Sequence, residues 1–315
     1  MVEPVIRLPG EPHARRAATG YVMVASAATL FAVNGTVSKV ILRSGISAQQ
    51  LTEVRCAGAL VGLVLLAALT RPGSLRVNAT DLPLLIALGV GGLALVQWSY
   101  FYAIARLDIG IALLIQFVGP ILVALWARLV FGEYVRRRIW LALALALGGL
   151  TLIVEVWHGR RLSGAGLAAA AVAAITYAAY ILLAERGVRH RDPISLSAWG
   201  FLFATLFWSV VAPWWHYPAG RVNDDVSLLG HLASSHLPVV ALMLWMIVLG
   251  TIVPFLLVVG ALGRISATRA GITGMLEPVV AIVVAWAWLG ESLDAGQLSG
   301  AALTLAGISL ALSSR

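Results

Sequence analysis

The sequence predicts an all-α membrane protein with ten transmembrane helices arranged as two inverted five-helix repeats. Its 315 residues are 60% hydrophobic and 11% charged, a composition that excludes an ordinary soluble domain. Long apolar runs fill most of the chain, and about 20 apolar residues are enough for one helix to cross a bilayer. Backbone amides in lipid need partners within their own segment, so such runs form helices.

Ten apolar segments follow one another along the chain, and we number them spans 1 to 10. They cover residues 18–41, 47–70, 81–104, 108–131, 137–156, 163–185, 194–213, 236–261, 266–289 and 295–313. The longest connection, around residues 214–235, is too short to form a domain. We therefore expect no soluble catalytic or regulatory module between the spans.

Two stretches that lie 158 positions apart carry the same motif, which indicates an internal duplication. Residues 92–152 align without a gap with residues 250–310, and 13 of the 61 aligned positions are identical. In both copies a proline inside a span is followed thirteen positions later by the glutamate of a Gly-Glu pair. These residues are Pro120, Glu133, Pro278 and Glu291. Because five spans is an odd number, the second repeat must enter the membrane from the opposite side, an arrangement typical of transport proteins.

The duplication also defines the domain boundaries. We expect a first repeat over residues 17–156, a second over residues 163–313, and a disordered cytoplasmic N-terminus over residues 1–16. Span 1 aligns with span 6 at an offset of 146, which pairs Gly20 with Gly166. This offset is smaller than the offset of 158 between the later parts of the repeats. The second half therefore contains about twelve extra residues, most simply in the loop 214–235.

Basic residues are distributed unevenly between the two sides of the predicted membrane. The net charge is +8, and with the N-terminus inside, 14 basic residues fall in cytoplasmic segments against 6 on the other side. This asymmetry follows the positive-inside rule and places both termini in the cytoplasm. The basic charge therefore reflects topology, and we expect the chain to contact a lipid bilayer and no nucleic acid.

Polar groups inside membrane spans are unfavourable and mark candidate functional positions. Glu277 lies near the middle of span 9, and the next residue, Pro278, removes a backbone donor and predicts a break in the helix. A carboxylate beside such a break could bind a coupling proton or the amino group of a substrate. It could equally be a protonated side chain bonded to a neighbouring helix. Pro120 predicts the equivalent break in span 4.

Other polar and aromatic side chains accompany Glu277. Arg55 lies deep in span 2 and is expected to bind a substrate carboxylate or to pair with another helix, and Glu53 is also expected to pair with another helix. Aromatic residues recur at helical spacing in spans 3 and 6, where simple packing is the alternative. The candidate substrate-binding residues are Asn34, Arg55, Gln97, Tyr100, Gln116, Tyr177, Tyr180, Trp245, Thr273 and Glu277.

Small residues one turn apart form stripes on spans 5 and 10, where they would let helices approach closely. The stripes contain Ala142 and Ala146, Ala144 and Gly148, Gly300 and Thr304, and Ala302 and Ala306. They predict either a scaffold contact within the chain or the contact of a homodimer. Enzyme motifs and metal-ligand spacings are absent from the sequence, so we expect no catalytic residue, no metal and no cofactor.

These features together resemble the EamA family of the drug/metabolite transporter superfamily. The segment ALGRISATRAGITGMLEPVVAIVVAWAWLGE at residues 261–291 carries most of the resemblance, with an arginine-containing turn, a Glu-Pro pair and a terminal Gly-Glu. Arg55, Asn34 and Lys39 also match common positions, whereas Gly119 departs from the pattern because it stands where the second repeat has Glu277.

The resemblance implies alternating-access transport of small metabolites, without an ATP-binding part, through a cavity lined mainly by spans 1, 3, 4, 6, 8 and 9. We expect a secondary active transporter that moves a small neutral or zwitterionic metabolite, an amino acid or a related compound, out across a bacterial inner membrane. A proton or a counter-substrate would drive it. The alternatives are efflux of lipophilic cationic drugs and, more remotely, a non-transporting sensor or an intramembrane enzyme.

Overall fold

The computed structural model describes residues 13–107, 109–130, 132, 134–154, 163–211, 219–290 and 293–313. In this part of the chain, ten helices are long and apolar enough to cross a membrane, which confirms the predicted spans. The first helix begins at His13, within the segment 1–16 that the sequence assigned to a disordered terminus, and the membrane span begins at Arg15. Residues 1–12, Glu133 and Glu291 lie outside the described residues.

Six spans are single helices. These are spans 1, 2, 5, 6, 7 and 10, at His13–Arg43, Ala48–Thr70, Arg137–Val154, Gly164–Val188, Pro193–Val211 and Ala295–Ser313. Span 2 begins with a capping box, in which Ser47 accepts from the backbone of Gln50 and the Gln50 side chain accepts from the backbone of Ser47.

The other four spans are interrupted. Span 3 contains Ala79–Asp81 (3₁₀), Leu82–Ile86 (α), Ala87–Ala94 (π) and Leu95–Ile104 (α). Span 4 contains the α-helices Ile109–Gln116 and Gly119–Leu129. Span 8 contains Val239–Ile247 (α), Val248–Ile252 (π) and Val253–Leu262 (α). Span 9 contains Ala267–Gly274 (α), Leu276–Val284 (α) and Ala285–Leu289 (π).

The interruptions fall at matching positions of the two halves. Leu95–Ile104 and Val253–Leu262 correspond residue for residue in the register of the sequence motif, and both follow a π-helical segment. Ile109–Gln116 corresponds in the same way to Ala267–Gly274, so spans 4 and 9 break at the same place. We call two residues related by this register, or by the offset of 146 between spans 1 and 6, counterparts.

Spans 5 and 10 run antiparallel and pack closely through small residues. A Cβ on Gly307 would lie 2.7 Å from the Ala142 carbonyl oxygen, and a Cβ on Gly149 would collide with the Gly300 carbonyl oxygen. Gly149 and Gly307 are counterparts, as are Ala142 and Gly300, so the contacts are reciprocal. Reciprocal contacts of this kind define a two-fold axis between the two helices. The stripes of Ala142 with Ala146 and of Gly300 with Thr304 therefore form a scaffold contact within the chain, whereas Ala144, Ala302 and Ala306 are exposed.

Reciprocal contacts also join spans 1 and 6 to the other half. A Cβ on Gly20 would lie 3.0 Å from Ile265 at the end of span 8. A Cβ on its counterpart Gly166 would lie 2.8 Å from Leu107 at the end of span 3. Since Leu107 and Ile265 are counterparts too, the same two-fold relationship extends beyond spans 5 and 10.

The loop between spans 7 and 8 contains structure that the sequence did not predict. Two short strands, Asp225–Ser227 and His236–Pro238, pair antiparallel with Val226 opposite Leu237, and 3₁₀ turns cover Ala219–Asn223 and Gly230–Leu232. The loop contacts the end of span 9, where Trp288 Nε1 donates a 2.8 Å hydrogen bond to the Leu228 carbonyl oxygen.

Candidate functional site

A cavity of about 90 Å³ lies between the two halves, with room for several water molecules. Spans 1, 3, 4, 6, 8 and 9 contribute to its wall, and Arg55 adds span 2. Eight of the ten candidate residues line it: Asn34, Arg55, Gln97, Tyr100, Gln116, Tyr177, Tyr180 and Glu277. The apolar part of the wall was not predicted from the sequence, and it includes Val24, Ala28, Phe31, Phe255 and Val258. Their residue types are common in every span, so only the three-dimensional arrangement distinguishes them.

Two candidate residues do not line the cavity. Trp245 packs against an apolar cluster that contains Val37 and Met246. The Thr273 hydroxyl donates a 2.8 Å hydrogen bond to the Arg269 carbonyl oxygen of its own helix. Thr273 lies one turn before Glu277, which would put both side chains on one face of a regular helix. Because the helix is interrupted between Gly274 and Leu276, that spacing no longer brings the two side chains to one face.

Arg55 connects span 2 of the first half to span 8 of the second half. Its side chain is 4% exposed, and its Nε and Nη2 atoms each donate a 2.6 Å hydrogen bond, to Thr251 Oγ1 and to the Gly250 carbonyl oxygen. Both acceptors belong to the π-helical segment, whose wider turn leaves backbone oxygens available. Arg55 therefore pairs with another helix and also presents a cationic group to the cavity.

Glu277 lines the cavity and is half-buried. It lies in the first turn of Leu276–Val284, where the positive end of the helix dipole favours a carboxylate. Within the described ranges its carboxyl group has no hydrogen-bond or ion-pair partner, so the alternative of a side chain bonded to a neighbouring helix is not met. The cavity thus contains the Arg55 guanidinium and the Glu277 carboxyl group, which interact electrostatically but form no direct ion pair within the described residues.

Gly119, the counterpart of Glu277, explains why only one half has a carboxylate. A Cβ on Gly119 would lie 2.7 Å from Tyr177 Cδ1 and 3.0 Å from the Ala174 carbonyl oxygen. The Tyr177 ring therefore leaves no room for a side chain at this position. The cavity lies between symmetric halves, but its chemistry is asymmetric.

Several oxygen atoms around the cavity are buried and have no hydrogen-bond partner among the described residues. They are Asn34 Oδ1, Gln97 Oε1, Gln116 Oε1 and the Tyr180 hydroxyl. Gln97 Nε2 donates a 2.9 Å hydrogen bond to the Leu93 carbonyl oxygen, which fixes the orientation of that amide. A buried acceptor without a donor is unfavourable by about 1–3 kcal/mol, so this wall favours a ligand that donates hydrogen bonds. In the part of the chain described here, no group of three or more His, Cys, Asp or Glu side chains could hold a metal ion.

The sequence pattern of the EamA-like transporter family matches residues 18–155 and again residues 164–313. The chain belongs to this family. Each match contains five of the ten spans, which shows the internal duplication. The protein is therefore a multi-pass membrane protein of a transporter family.

Curated relatives are similar to the chain over most of its length. The threonine/homoserine exporter RhtA of Salmonella typhimurium strain LT2 is 29% identical over 258 residues, covering 80% of this chain and 78% of the relative. RhtA of Escherichia coli K12 is 27% identical over 256 residues, with the same coverage of 80% and 78%. An uncharacterized transporter of Archaeoglobus fulgidus is 27% identical over 216 residues, covering 68% of this chain and 70% of the relative.

A solved crystal structure has the same overall arrangement. It superposes with a TM-score of 0.75 and covers 93% of this chain and 96% of the other at 16% sequence identity. At that identity the similarity concerns the fold alone.

Proposed function

We propose that this protein is a secondary active transporter of a small neutral or zwitterionic metabolite, an amino acid or a related compound, which it exports across a bacterial inner membrane. The observation that carries the proposal is the presence of Arg55 and Glu277, unpaired with each other, in one cavity. The similarity to threonine/homoserine exporters supports an amino acid as substrate. The relatives are transporters, so we propose no enzymatic activity and no sensor role for the chain.

The cavity suits a zwitterion because each charged end has a partner. Arg55 uses Nε and Nη2 for the protein contacts, which leaves Nη1 donors for a substrate carboxylate. Glu277 would bind the ammonium group, and the unpartnered oxygens of Gln116 and Asn34 would accept further hydrogen bonds. Glu277 is also one candidate for a coupling proton, and a counter-substrate is the other candidate driving partner.

A lipophilic cationic drug is the second candidate substrate. Phe31, Phe255 and Val258 give the wall an apolar part, and Glu277 would be the counter-charge. Arg55 disfavours this candidate because a drug cation would share a small cavity with a guanidinium group, and like charges at short range repel.

We further propose that the two repeats, residues 17–156 and 163–313, are inverted in the membrane with both termini in the cytoplasm. The reciprocal contacts of Gly149 and Gly307 and the uneven distribution of basic residues support this topology. Cys56 is the only cysteine, so single cysteines can be introduced into a Cys56→Ser background. Tyr134→Cys should react with an impermeant reagent from the cytoplasm and Ala295→Cys from the outside. Labelling of both from the same side contradicts the inversion.

The two mouths of the cavity differ, and we propose that the cytoplasmic one is closed. Near it, Glu185 Oε1 accepts a 2.9 Å hydrogen bond from the Ala267 amide. Arg16 Nη2 donates a 2.9 Å bond to the Gly263 carbonyl oxygen. The counterpart of Glu185 is Lys39, which cannot accept a hydrogen bond, and the counterpart of Gly263, Ala105, is exposed. Movement of one half against the other would then expose the cavity to each side in turn.

Flux measurements in proteoliposomes test the proposed function. We expect labelled threonine or homoserine to exchange across the membrane faster with the protein than in empty liposomes, and to raise its melting temperature in detergent. A lipophilic cation should do neither. If the cation is transported and both amino acids are inert, the drug-efflux alternative is correct. If no compound of either class is transported or stabilises the protein, the proposal fails.

A further inference from the structure

Glu53 in span 2 is a buried carboxyl group that the proposed function does not use. Its side chain is 2% exposed, and Oε1 is buried with no hydrogen-bond donor in the part of the chain that the structure describes. The expectation that it pairs with another helix is wrong for the described residues, which give this carboxyl group neither a hydrogen bond nor an ion pair. Arg55 was also expected to pair with another helix, and it does so through its hydrogen bonds to Thr251 and Gly250 of span 8.

The helices packed against span 2 supply no charge that could compensate a carboxylate. They are mainly spans 3, 7 and 8, while residues of span 1 and of the loop before span 8 join Leu51 and Val54 of span 2 in one apolar cluster. Arg221 in that loop forms no ion pair with Glu53. Pro193–Val211 of span 7 and residues 239–252 of span 8 contain no Asp, Glu, Lys, Arg, His, Cys or Tyr. The titratable residues of the adjoining helical segment of span 3 are Tyr100 and Tyr102, which are neutral at physiological pH.

The basic residues that lie closest along the chain do not pair with Glu53 either. The guanidinium of Arg55 is held by span 8 through its two hydrogen bonds. Lys39 and Arg43, at the end of span 1, form no ion pair with Glu53. A buried carboxylate without a cation is strongly unfavourable, whereas a buried carboxylic acid is far less so. These surroundings therefore favour the protonated form of Glu53.

The carboxyl group lies one helical turn behind the wall of the cavity. Glu53 and Cys56 are three residues apart and share a face of span 2. The Cys56 thiol lies 3.8 Å from Gln97 Nε2, and Gln97 lines the cavity. Cys56 thus connects Gln97 of the cavity wall to the face of span 2 that carries Glu53.

We propose that Glu53 is the proton-binding site that couples transport to a proton gradient. This inference rests on the proposed function and separates its two tasks: Glu277 and Arg55 hold the substrate, and Glu53 carries the proton. The carboxylate takes one proton from water to become a neutral acid and later returns that proton to water, and no other bond changes. The acid is buried in the conformation described here and releases its proton when water reaches it in another conformation.

Two flux assays on the same proteoliposomes test this assignment. With labelled threonine, counterflow at equal pH reports substrate exchange alone, and accumulation driven by a pH gradient, acid inside, reports coupling. One-to-one exchange with a proton sustains about tenfold accumulation for each pH unit. We expect Glu53→Gln to keep counterflow and to lose this accumulation. Glu277→Gln should lose both activities, and Glu53→Asp should keep both.

Each outcome decides between the two proposals. If Glu53→Gln still accumulates threonine normally in a pH gradient, Glu53 does not carry the proton, and the proposed transport function still stands. The same conclusion follows if the wild type shows counterflow but no response to the gradient. Absence of flux in both wild-type assays overturns the proposed function and the coupling role with it. If Glu53→Gln fails to fold, infrared spectroscopy of the wild type and Glu53→Asp decides. A protonated carboxyl band that the aspartate shifts supports the assignment, and its absence from the wild type refutes it.

Discussion

Thr304 donates a 3.3 Å hydrogen bond to the backbone carbonyl oxygen of Ala146, which is its own counterpart in the first repeat. A residue can contact its counterpart only close to the axis that relates the two. The axis between the repeats therefore passes through the contact of spans 5 and 10. These helices otherwise pack mainly on spans 4 and 9, at a distance from the polar cavity wall of spans 1, 3, 6 and 8.

Gly149→Ala should destabilise the protein, because the added methyl group collides with the backbone of span 10 at Gly300 and Thr304. We expect a loss of about 1–3 kcal/mol, which is typical of overpacking. Thermal unfolding in detergent measures the effect. Gly148→Ala is the matched control, since its methyl group would meet Leu303 Cδ2 at an ordinary 3.7 Å. Equal melting temperatures for the two variants would contradict the close approach of spans 5 and 10.

Gly119→Ala should weaken substrate binding without unfolding the protein. The new methyl group would lie 2.7 Å from Tyr177 Cδ1 and would push the ring into the cavity. We expect affinity to fall by about tenfold, which corresponds to about 1.4 kcal/mol. Ligand-induced changes in melting temperature report this affinity. Gly35→Ala, whose methyl group would lie 3.7 Å from the Tyr100 hydroxyl, should bind normally, and a weaker response from it than from Gly119→Ala would refute the argument.

Glu277→Gln should reduce affinity for an amino acid because it removes the carboxylate that binds the ammonium group. A hydrogen bond to a charged group contributes about 1.5–3 kcal/mol, so we expect a loss of more than tenfold. Thr273→Val is the control, since the Thr273 hydroxyl is used within its own helix and does not reach the cavity. If Glu277→Gln binds the amino acid as tightly as the wild type, Glu277 is not the ammonium site. The same conclusion follows if Thr273→Val loses as much affinity as Glu277→Gln.

Glu185→Ala should open the cytoplasmic mouth of the cavity because it removes the hydrogen bond to Ala267. Glu185→Gln keeps an acceptor but loses the charge, which makes the bond roughly half as strong, so its effect should be intermediate. The readout is labelling of Ala270→Cys, which lines the cavity, by an impermeant reagent added to the cytoplasmic side. Lys39→Ala, at the counterpart position, should leave this labelling unchanged. An unchanged rate in Glu185→Ala would show that the contact does not hold the mouth closed.

The fold was largely predictable because lipid imposes a simple rule on the backbone. Apolar length alone gave all ten spans, and the recurring proline and Gly-Glu motifs gave the register in which the helix interruptions coincide. The π-helical segments of spans 3 and 8 were not predicted, since no residue type signals a wider turn. The strands near Val226 were also missed, because three-residue strands have no periodicity to detect.

The cavity was predictable where a polar side chain within a span stood out against an apolar background. Asn34, Gln97 and Gln116 were found in this way. Thr273 was selected because it lies one turn before Glu277, but its hydroxyl bonds within its own helix and does not line the cavity. The unpaired state of Glu53 could not be predicted, because it depends on which helices surround this side chain and on whether they place a cation or a hydrogen-bond donor beside it.

The loop between spans 7 and 8, where the sequence places the extra residues of the second half, restrains the end of span 9. Trp288 fastens the far end of span 9 to Leu228, and the His231 ring lies so close to Gly290 that a methyl group there would be within 2.6 Å of it. If this end of span 9 tilts, the hairpin of the loop must either move with it or lose these contacts. The matching end of span 4 is not held in this way, since a Cβ on Gly132, the counterpart of Gly290, would meet none of the described atoms within 4 Å. The extra residues therefore restrain one mouth of the cavity more than the other.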